Sequence, residues 1–246
     1  LLNRVDEQNK QIASQVEELK QAEAVRREFS ANVSHELKTP LMSISGYAEI
    51  MKNGMVRPQD ISEFAGRIYD EASRLTSLVQ DIIEISKLDE KSVEMPFENL
   101  DIYEIAQDIC QNLTLQSKKK NVTLSIEGSN VEIYGVRHIL YEMCYNLVDN
   151  AMKYNREGGY VKVSLSTTED HVRFTVEDNG IGIAKEEQER IFERFYRVDK
   201  SHSRKTGGTG LGLSIVKHGA ALHHAQITLE SEPEKGTKIQ VFFKKS

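Results

Sequence analysis

Three sets of residues carry functional groups at spacings that could do chemistry. The first is Ser34-His35-Glu36-Leu37-Lys38-Thr39-Pro40-Leu41. If Leu37 takes position a of the surrounding heptads, His35 falls at f, the position furthest from the packing seam. Its imidazole is then displayed to solvent, with the Glu36 carboxylate beside it and the Thr39 hydroxyl one turn on along nearly the same face. The second set is Asn146, Asn150 and Lys153, whose spacing puts them on one face of a helix. Two amide oxygens and an ammonium on one stripe suit a magnesium triphosphate. Neutral oxygen ligands hold the ion without competing with phosphate for its charge, and Mg²⁺ keeps water in its remaining positions. The third set is built on glycine. In Asp178-Asn179-Gly180-Ile181-Gly182-Ile183 the aspartate closes a strand, where it can accept a hydrogen bond from an adenine amino group while the glycines let the backbone approach the base. Gly207-Gly208-Thr209-Gly210-Leu211-Gly212-Leu213 precedes a helix, whose first N–H groups and dipole favour phosphate.

Each set also has a plainer reading. A solvated helix can carry a stray histidine, and Glu36 can serve as a cap or a surface ion-pair partner. An Asn/Lys stripe can be no more than a polar helix face, and a lone Asp-x-Gly-x-Gly string also describes ordinary turns. Pro40 argues against the first of these, because proline removes a backbone donor and disfavours helical geometry at Thr39. A helix that needed only to be stable would have no use for it. The second glycine string is not a Walker loop, since the Gly-Lys-Ser/Thr ending is absent. Between the two strings lie Phe192-Glu193-Arg194-Phe195-Tyr196-Arg197 and then Val198 to Thr206. From Glu193 to Thr206 there are five basic and two acidic residues, a local +3 in a chain of net charge −6. A flexible basic loop beside a phosphate site reads as a lid, and Arg197 is the residue expected to reach the phosphates.

The elements that must position these groups follow from periodicity. Apolar residues at Leu2, Val5, Ile12, Val16, Leu19, Val33, Leu37, Ile44 and Met51 predict one helix over residues 1–52, with Asn9 at an a position that can fix register. Between Leu19 and Val33 the seam turns polar at Glu23, Arg26 and Ser30, and the apolar residues move to Ala22, Val25 and Phe29. This is either a rotation of the packing stripe or a slack spot in a scaffold. Asn53-Gly54 and Pro58 mark a turn, and a second helix has its seam at Ile61, Phe64, Ile68, Leu75, Leu78, Ile82 and Ile85, interrupted by Glu71. Two such helices are too thin to bury their stripes alone, so a homodimeric four-helix bundle is expected. Lys87 to Pro96 reads as a linker. Beyond Phe97 the pattern predicts helices at about 102–117, 136–154 and 211–222, with strands at 122–126, 161–166, 171–176, 227–229 and 238–243. That is a two-layer α/β arrangement.

Composition narrows the class. The 246 residues are enough for two domains, and 39% hydrophobic content suits a chain that is partly coiled coil. No apolar run approaches the ~20 residues of a membrane span. Cys110 and Cys144 sit among apolar neighbours and read as reduced core thiols of a cytosolic protein. The acidic balance argues against nucleic acid as a partner. The chain opens inside a heptad pattern without methionine and is expected to be a piece of a longer protein.

The stretch Phe29 to Leu41 resembles the phosphoacceptor motif of bacterial sensor histidine kinases of two-component systems. The three later strings, in their order and spacing, are similar to the ATP-binding domain of that family, and together the likeness covers nearly the whole chain. The resemblance implies a coiled-coil signalling helix over 1–28, a dimerisation and histidine phosphotransfer domain over 29–92, and a catalytic domain over 97–246. The last would have the two-layer α/β sandwich of the histidine kinase, gyrase and chaperone type. It also implies ATP and Mg²⁺ as cofactors, with Asn150 the principal metal ligand and Asn146 supporting it. Lys153 and Tyr154 would lie along the nucleotide, and Asp178 would read adenine beside Gly180 and Gly182. Arg197, Gly208, Thr209, Gly210, Leu211 and Gly212 would surround the phosphates. The activity implied is autophosphorylation of His35 with Glu36 tuning the nucleophile, transfer to an aspartate of a response regulator, and dephosphorylation of that regulator with Thr39 holding a water. The chain would be the cytoplasmic part of a membrane-anchored sensor, reaching the membrane through an N-terminal region not in this sequence.

Two departures stand out. Val136 follows Gly135 where many relatives have aspartate, and His223-His224-Ala225 replaces a glycine-rich turn. Two rivals share parts of the pattern. Hydrolytic relatives of the gyrase and chaperone type carry a glutamate four residues before the metal asparagine to activate water, where this chain has Asn146. A dimeric scaffold with a degenerate site would lack nucleotide residues that are all present here.

Overall fold

The computed structural model describes residues 2–89, 95–198 and 208–245, with side chains at 12–17, 19–21 and from 23 onward. The side chains of the expected seam residues Leu2, Val5, Asn9 and Ala22 lie outside the described ones, and so do the middle of the linker, Gly207 and the expected lid residues 199–206. The chain packs as two compact units that divide between Leu78 and Val79, inside the second helix.

In the first unit, α1 runs from Leu2 to Lys52 with Pro40 inside it, and α2 begins at Ile61 and continues to Asp89. The hairpin between them is closed by local chemistry. Gly54 has φ +66°, the left-handed geometry glycine adopts freely. Gly54 N–H bonds the Met51 carbonyl and Met55 N–H the Ile50 carbonyl, which satisfies the open carbonyls of the helix end in a Schellman motif. Arg57 Nε donates to Asp60 at 2.7 Å across the short 3₁₀ turn Pro58–Asp60. Tyr47 on α1 meets Phe64 on α2 edge-to-face at 5.7 Å, and the Arg67 guanidinium lies over the Tyr47 ring. Val33, Leu37, Ile44, Met51, Phe64, Ile68 and Leu75 are half-buried within a single chain, while Ile12, Val16, Leu19 and Val25 remain exposed.

The second unit contains the α/β layers. Beyond the last turns of α2 come β1 (Glu98–Asp101), α3 (Ile102–Lys120), β2 (Thr123–Glu127), β3 (Glu132–Gly135) and α4 (Arg137–Lys153). They are followed by β4 (Tyr160–Thr167), β5 (His171–Asp178), α5 (Gly212–Leu222), β6 (Gln226–Glu232) and β7 (Gly236–Lys244). The main sheet has the order β2-β4-β5-β7-β6, parallel between β2 and β4 and antiparallel elsewhere. Alternation explains the layer: Val161, Val163, Leu165, Val172, Phe174, Val176, Ile239, Val241 and Phe243 turn inward. They form one core with Ile105 and Ile109 of α3, Leu140, Met143 and Leu147 of α4, and Val216 and Ala220 of α5. Cys110 and Cys144 are buried free thiols in this core, and burial pushes the Cys110 thiol up to about 11. The side chain of Asp101 caps α3 by accepting the Tyr103 N–H, and it also accepts the Val131 N–H.

All the expected strands and helices of this unit form, with α3 one turn longer than its apolar pattern. The pair β1–β3 adds two short strands to the expected set. The two departures from the family pattern meet each other. Val136 N–H donates to His223 Nε2 at 3.0 Å, and the buried His223 ring donates from Nδ1 to the Gly219 carbonyl at 2.7 Å. Val136 is the N-cap of α4 and has no side chain able to cap, so an imidazole 87 residues away takes its N–H. Gly135 permits the approach, because a Cβ there would lie 2.8 Å from that ring.

Candidate functional site

On α1 the His35 side chain is 80% exposed, and its Nδ1 lies 3.8 Å from Glu36 Oε1, longer than a hydrogen bond. Thr39 is also exposed, with its hydroxyl donating to the His35 carbonyl at 3.2 Å. Ser34 and Ser43 bond back four residues in the same way. Such bonds compete with the helix ladder, and here they flank the point where Pro40 removes one of its donors. His35, Glu36 and Thr39 therefore share a short exposed stretch of one helix.

In the second unit the expected nucleotide residues converge from α4, the end of β5 and the start of α5. Asn146 Nδ2 donates to the Glu142 carbonyl, which fixes the amide and turns Oδ1 toward Gly212. A Cβ on Gly212 would sit 2.5 Å from that oxygen, so glycine is what lets α5 begin against the α4 face. The Tyr154 hydroxyl approaches Gly208 closely enough that a Cβ there would lie 3.1 Å away. Lys153 is half-buried and held at 2.6 Å by Asp149, whose other oxygen accepts from Gln116. Asn150 is half-buried on the same α4 face.

Asp178 ends β5 and accepts the Gly180 N–H at 2.8 Å. Burial pushes its carboxyl up to about 6, against the pull of the backbone N–H groups of Gly180 and Thr237. Gly180 is packed under the Tyr154 carbonyl, and Ile181 N–H donates to that same carbonyl. Gly182, at φ +66°, fits against the Glu232 carbonyl in the β6–β7 turn. At the other string, Gly210 has φ +76° and its carbonyl accepts the Phe195 N–H, tying the glycine string to the segment that precedes residue 199. Leu211 is fully buried and Thr209 Oγ1 accepts the Leu211 N–H. Arg197 is half-buried on the segment that the Phe195 bond joins to Gly210.

These parts suit a nucleotide: a fixed amide oxygen on Asn146, a tethered ammonium, a strand-end carboxyl and glycine-lined backbone before a helix. Residues 135–246 match the histidine kinase-, DNA gyrase B-, and HSP90-like ATPase family, and residues 25–91 match the His Kinase A (phospho-acceptor) domain. The chain belongs to the sensor histidine kinases. Among relatives, the sensor-like histidine kinase SenX3 of Mycolicibacterium smegmatis is 38% identical over 216 residues, 87% of this chain and 56% of its own. The sensor histidine kinase WalK of Bacillus subtilis is 36% identical over 229 residues, 91% of this chain and 37% of its own. The chain thus spans only part of the length of these kinases. A solved structure of histidine kinase ThkA in complex with response regulator protein TrrA shares the fold, with TM-score 0.70, 24% identity, and coverage of 89% of this chain and 61% of that one.

Several residues that shape this histidine kinase site gave no sign in the sequence. Asp81, near the end of α2, accepts the Thr209 hydroxyl at 2.6 Å. Glu84, almost wholly buried, meets His138 Nε2 at 2.6 Å and Lys87 at 3.0 Å. Burial works to raise the Glu84 carboxyl, but the bonds and charges of His138 and Lys87 outweigh it and hold the group below its usual range. Asp89 accepts from Arg194 at 2.6 Å. All three acids have the composition of an ordinary solvated helix face. The role of Asp149 could have been found from its i,i+4 spacing to Lys153.

Proposed function

We propose that this chain is the catalytic part of a homodimeric sensor kinase that phosphorylates His35 from ATP. The phosphoryl group then passes to an aspartate of a response regulator, and the same surface removes it from that regulator. The observation that carries the reading is the pairing of an exposed imidazole on one unit with a glycine-lined pocket on the other. The proposed division is a signalling helix over 1–28, a dimerisation and phosphotransfer domain over 29–92 and a catalytic domain over 97–246. The exposed Ile12, Val16 and Leu19 favour a second copy of the signalling helix in a coiled coil, and the half-buried stripe Val33, Leu37, Ile44, Phe64, Ile68 and Leu75 favours a four-helix bundle below it. An N-terminal region would anchor the whole protein in a membrane.

The residues present fit a magnesium nucleotide. Asn146 Oδ1 faces the glycine at the start of α5, and the Tyr154 hydroxyl approaches Gly208. Asn150 and Asn146 would hold the ion, which when bound supplies charge neutralisation for phosphoryl transfer. Lys153, Arg197 and the N–H groups of Gly208 to Gly212 would orient the phosphates, and Asp178 would hold the adenine amino group. Because Glu36 lies on the Nδ1 side of His35, it is placed to keep a proton there and leave Nε2 unprotonated to attack. Asn146 stands where a hydrolase of this fold carries a glutamate, so the pocket has no base there for activating water. Incubation with labelled ATP tests the reading. Acid-labile label on the protein is expected; free phosphate alone would make it a hydrolase, and neither product would make it a scaffold.

A further inference from the structure

The last turns of α2 present three acids to the elements that carry the nucleotide residues. Asp81 Oδ2 accepts the Thr209 hydroxyl at 2.6 Å, in the glycine string before α5. Glu84 bonds His138 in the first turn of α4. Asp89 accepts from Arg194 at 2.6 Å, at the base of the lid. The Arg194 group is itself positioned: His218 Nδ1 donates to the Ser214 carbonyl, so its Nε2 is left to accept from Arg194 at 2.8 Å. Between the acids Ile85 is fully buried, so this is a packed surface and not a set of chance ion pairs. A stripe of carboxylates here lies where a triphosphate would also seek Thr209 and the cations around it.

We propose that the α2 segment Val79–Asp89 is a latch on the nucleotide site, with Asp81 occupying the Thr209 hydroxyl and Asp89 the Arg194 guanidinium beside the glycine string before α5, so that nucleotide binding and α2 docking oppose each other. The proposal rests on the nucleotide reading of Thr209 and the lid base. Burial raises the Asp81 carboxyl above its ordinary range despite the Thr209 bond and the Lys153 charge, so this group sits poorly as an anion and a second anion beside it is worse. Coupling of this kind is reciprocal: whatever factor the latch takes from nucleotide affinity, nucleotide takes from latch docking. The device would let a movement of α2 set the access of ATP.

The test uses the full chain with Mg²⁺ and ADP, a nucleotide that cannot phosphorylate it. In titration calorimetry Asp81→Asn with Asp89→Asn should bind about tenfold more tightly than the parent, within the usual range of such couplings. Unchanged or weaker binding would overturn the latch, and weaker binding would mean that Asp81 serves the nucleotide instead. Amide hydrogen exchange on the unmutated chain gives a second readout. Residues 79–89 should exchange faster when Mg-ADP is added, and equal or slower exchange would sink the proposal. Asn150→Ala separates the two readings. If it loses ADP binding while the double variant binds as the parent does, the latch alone fails. If Asn150→Ala still binds ADP normally, the nucleotide reading fails and the latch with it.

Discussion

His35 stands 80% exposed on α1, and the hydroxyls around it bond back to their own helix. Asn146, by contrast, is fixed at one end by the Glu142 carbonyl and faces a glycine whose added Cβ would lie 2.5 Å from its Oδ1. The first arrangement costs the fold little to build and leaves the imidazole able to meet different partners. The second is over-determined, because positions on α4, β5 and α5 must agree to within the width of a methyl group. Under the proposed function, a residue that serves both a nucleotide and a regulator gains from exposure, whereas a pocket that orients three phosphates gains from rigidity.

The sharpest way to break this contrast is to remove the exposed member. His35→Ala should abolish acid-labile phosphorylation completely, while Mg-ADP affinity stays within about threefold of the parent, as for a surface substitution in the other unit. Persistent label would mean a different acceptor, and a large loss of affinity would mean that the pocket depends on the first unit. The converse change is Gly212→Ala. Alanine favours a helix over glycine by up to about 1 kcal/mol, so α5 should be no less stable. The new methyl must nonetheless displace Asn146 Oδ1, and nucleotide affinity should fall by about tenfold or more. Unaltered affinity measured by calorimetry would remove Asn146 from the site.

The same contrast explains what the sequence could and could not reveal. Heptad spacing exposed α1 and α2 because a long helix repeats its signal many times. The Asn146/Asn150/Lys153 stripe and the glycine strings were legible because their chemistry is local, carried by neighbours within a turn or a loop. The strands β1 and β3 were hidden: each has four residues, and Leu100 and Ile133 give too little alternation to read. The attachment of the last turns of α2 to the second unit was also hidden, since Asp81, Glu84 and Asp89 have the composition of a solvated face. Val136 and His223 looked like two independent departures because no local pattern joins residues that far apart.

Thr39 tests whether exposure on α1 serves two activities. Its hydroxyl donates to the His35 carbonyl on an exposed stretch of α1, which leaves its oxygen lone pairs to accept. Attack on ATP needs no second hydroxyl, whereas dephosphorylation needs a water held in line. Thr39→Ala should leave autophosphorylation near the parent rate and slow dephosphorylation of a purified phospho-regulator by about tenfold, in the range of one lost polar group in a transition state. Equal loss of both rates would assign Thr39 a structural role at the Pro40 irregularity.

The smallest effect concerns the rigid unit and carries a sign that can be worked out. His223 accepts the Val136 N–H at Nε2 and donates from Nδ1, which only the neutral ring can do. Burial, followed by the neighbouring charge of His224, holds its folded pKa below the ordinary histidine value even though the Gly219 carbonyl favours the charged form. The unfolded chain therefore binds the proton first, so the His223 contribution is fully present above the unfolded pKa of ~6.5 and is lost as pH falls from there through the folded value. Asp178 works in the opposite direction. Its carboxyl is raised to about 6, so its contribution is present below the unfolded value and is lost as pH rises through about 6. Urea midpoints of the parent between pH 5 and 8 mix these opposing slopes, and the difference from a His223→Ala variant isolates one of them. That variant should be less stable by about 2–4 kcal/mol at pH 7.5, through an orphaned N–H and a cavity beside Phe97 and Phe243. The gap should narrow as pH falls below 6.5. A gap that holds constant with pH would mean the ring contributes by packing alone, and that the hydrogen bond replacing the missing cap of α4 adds nothing to stability.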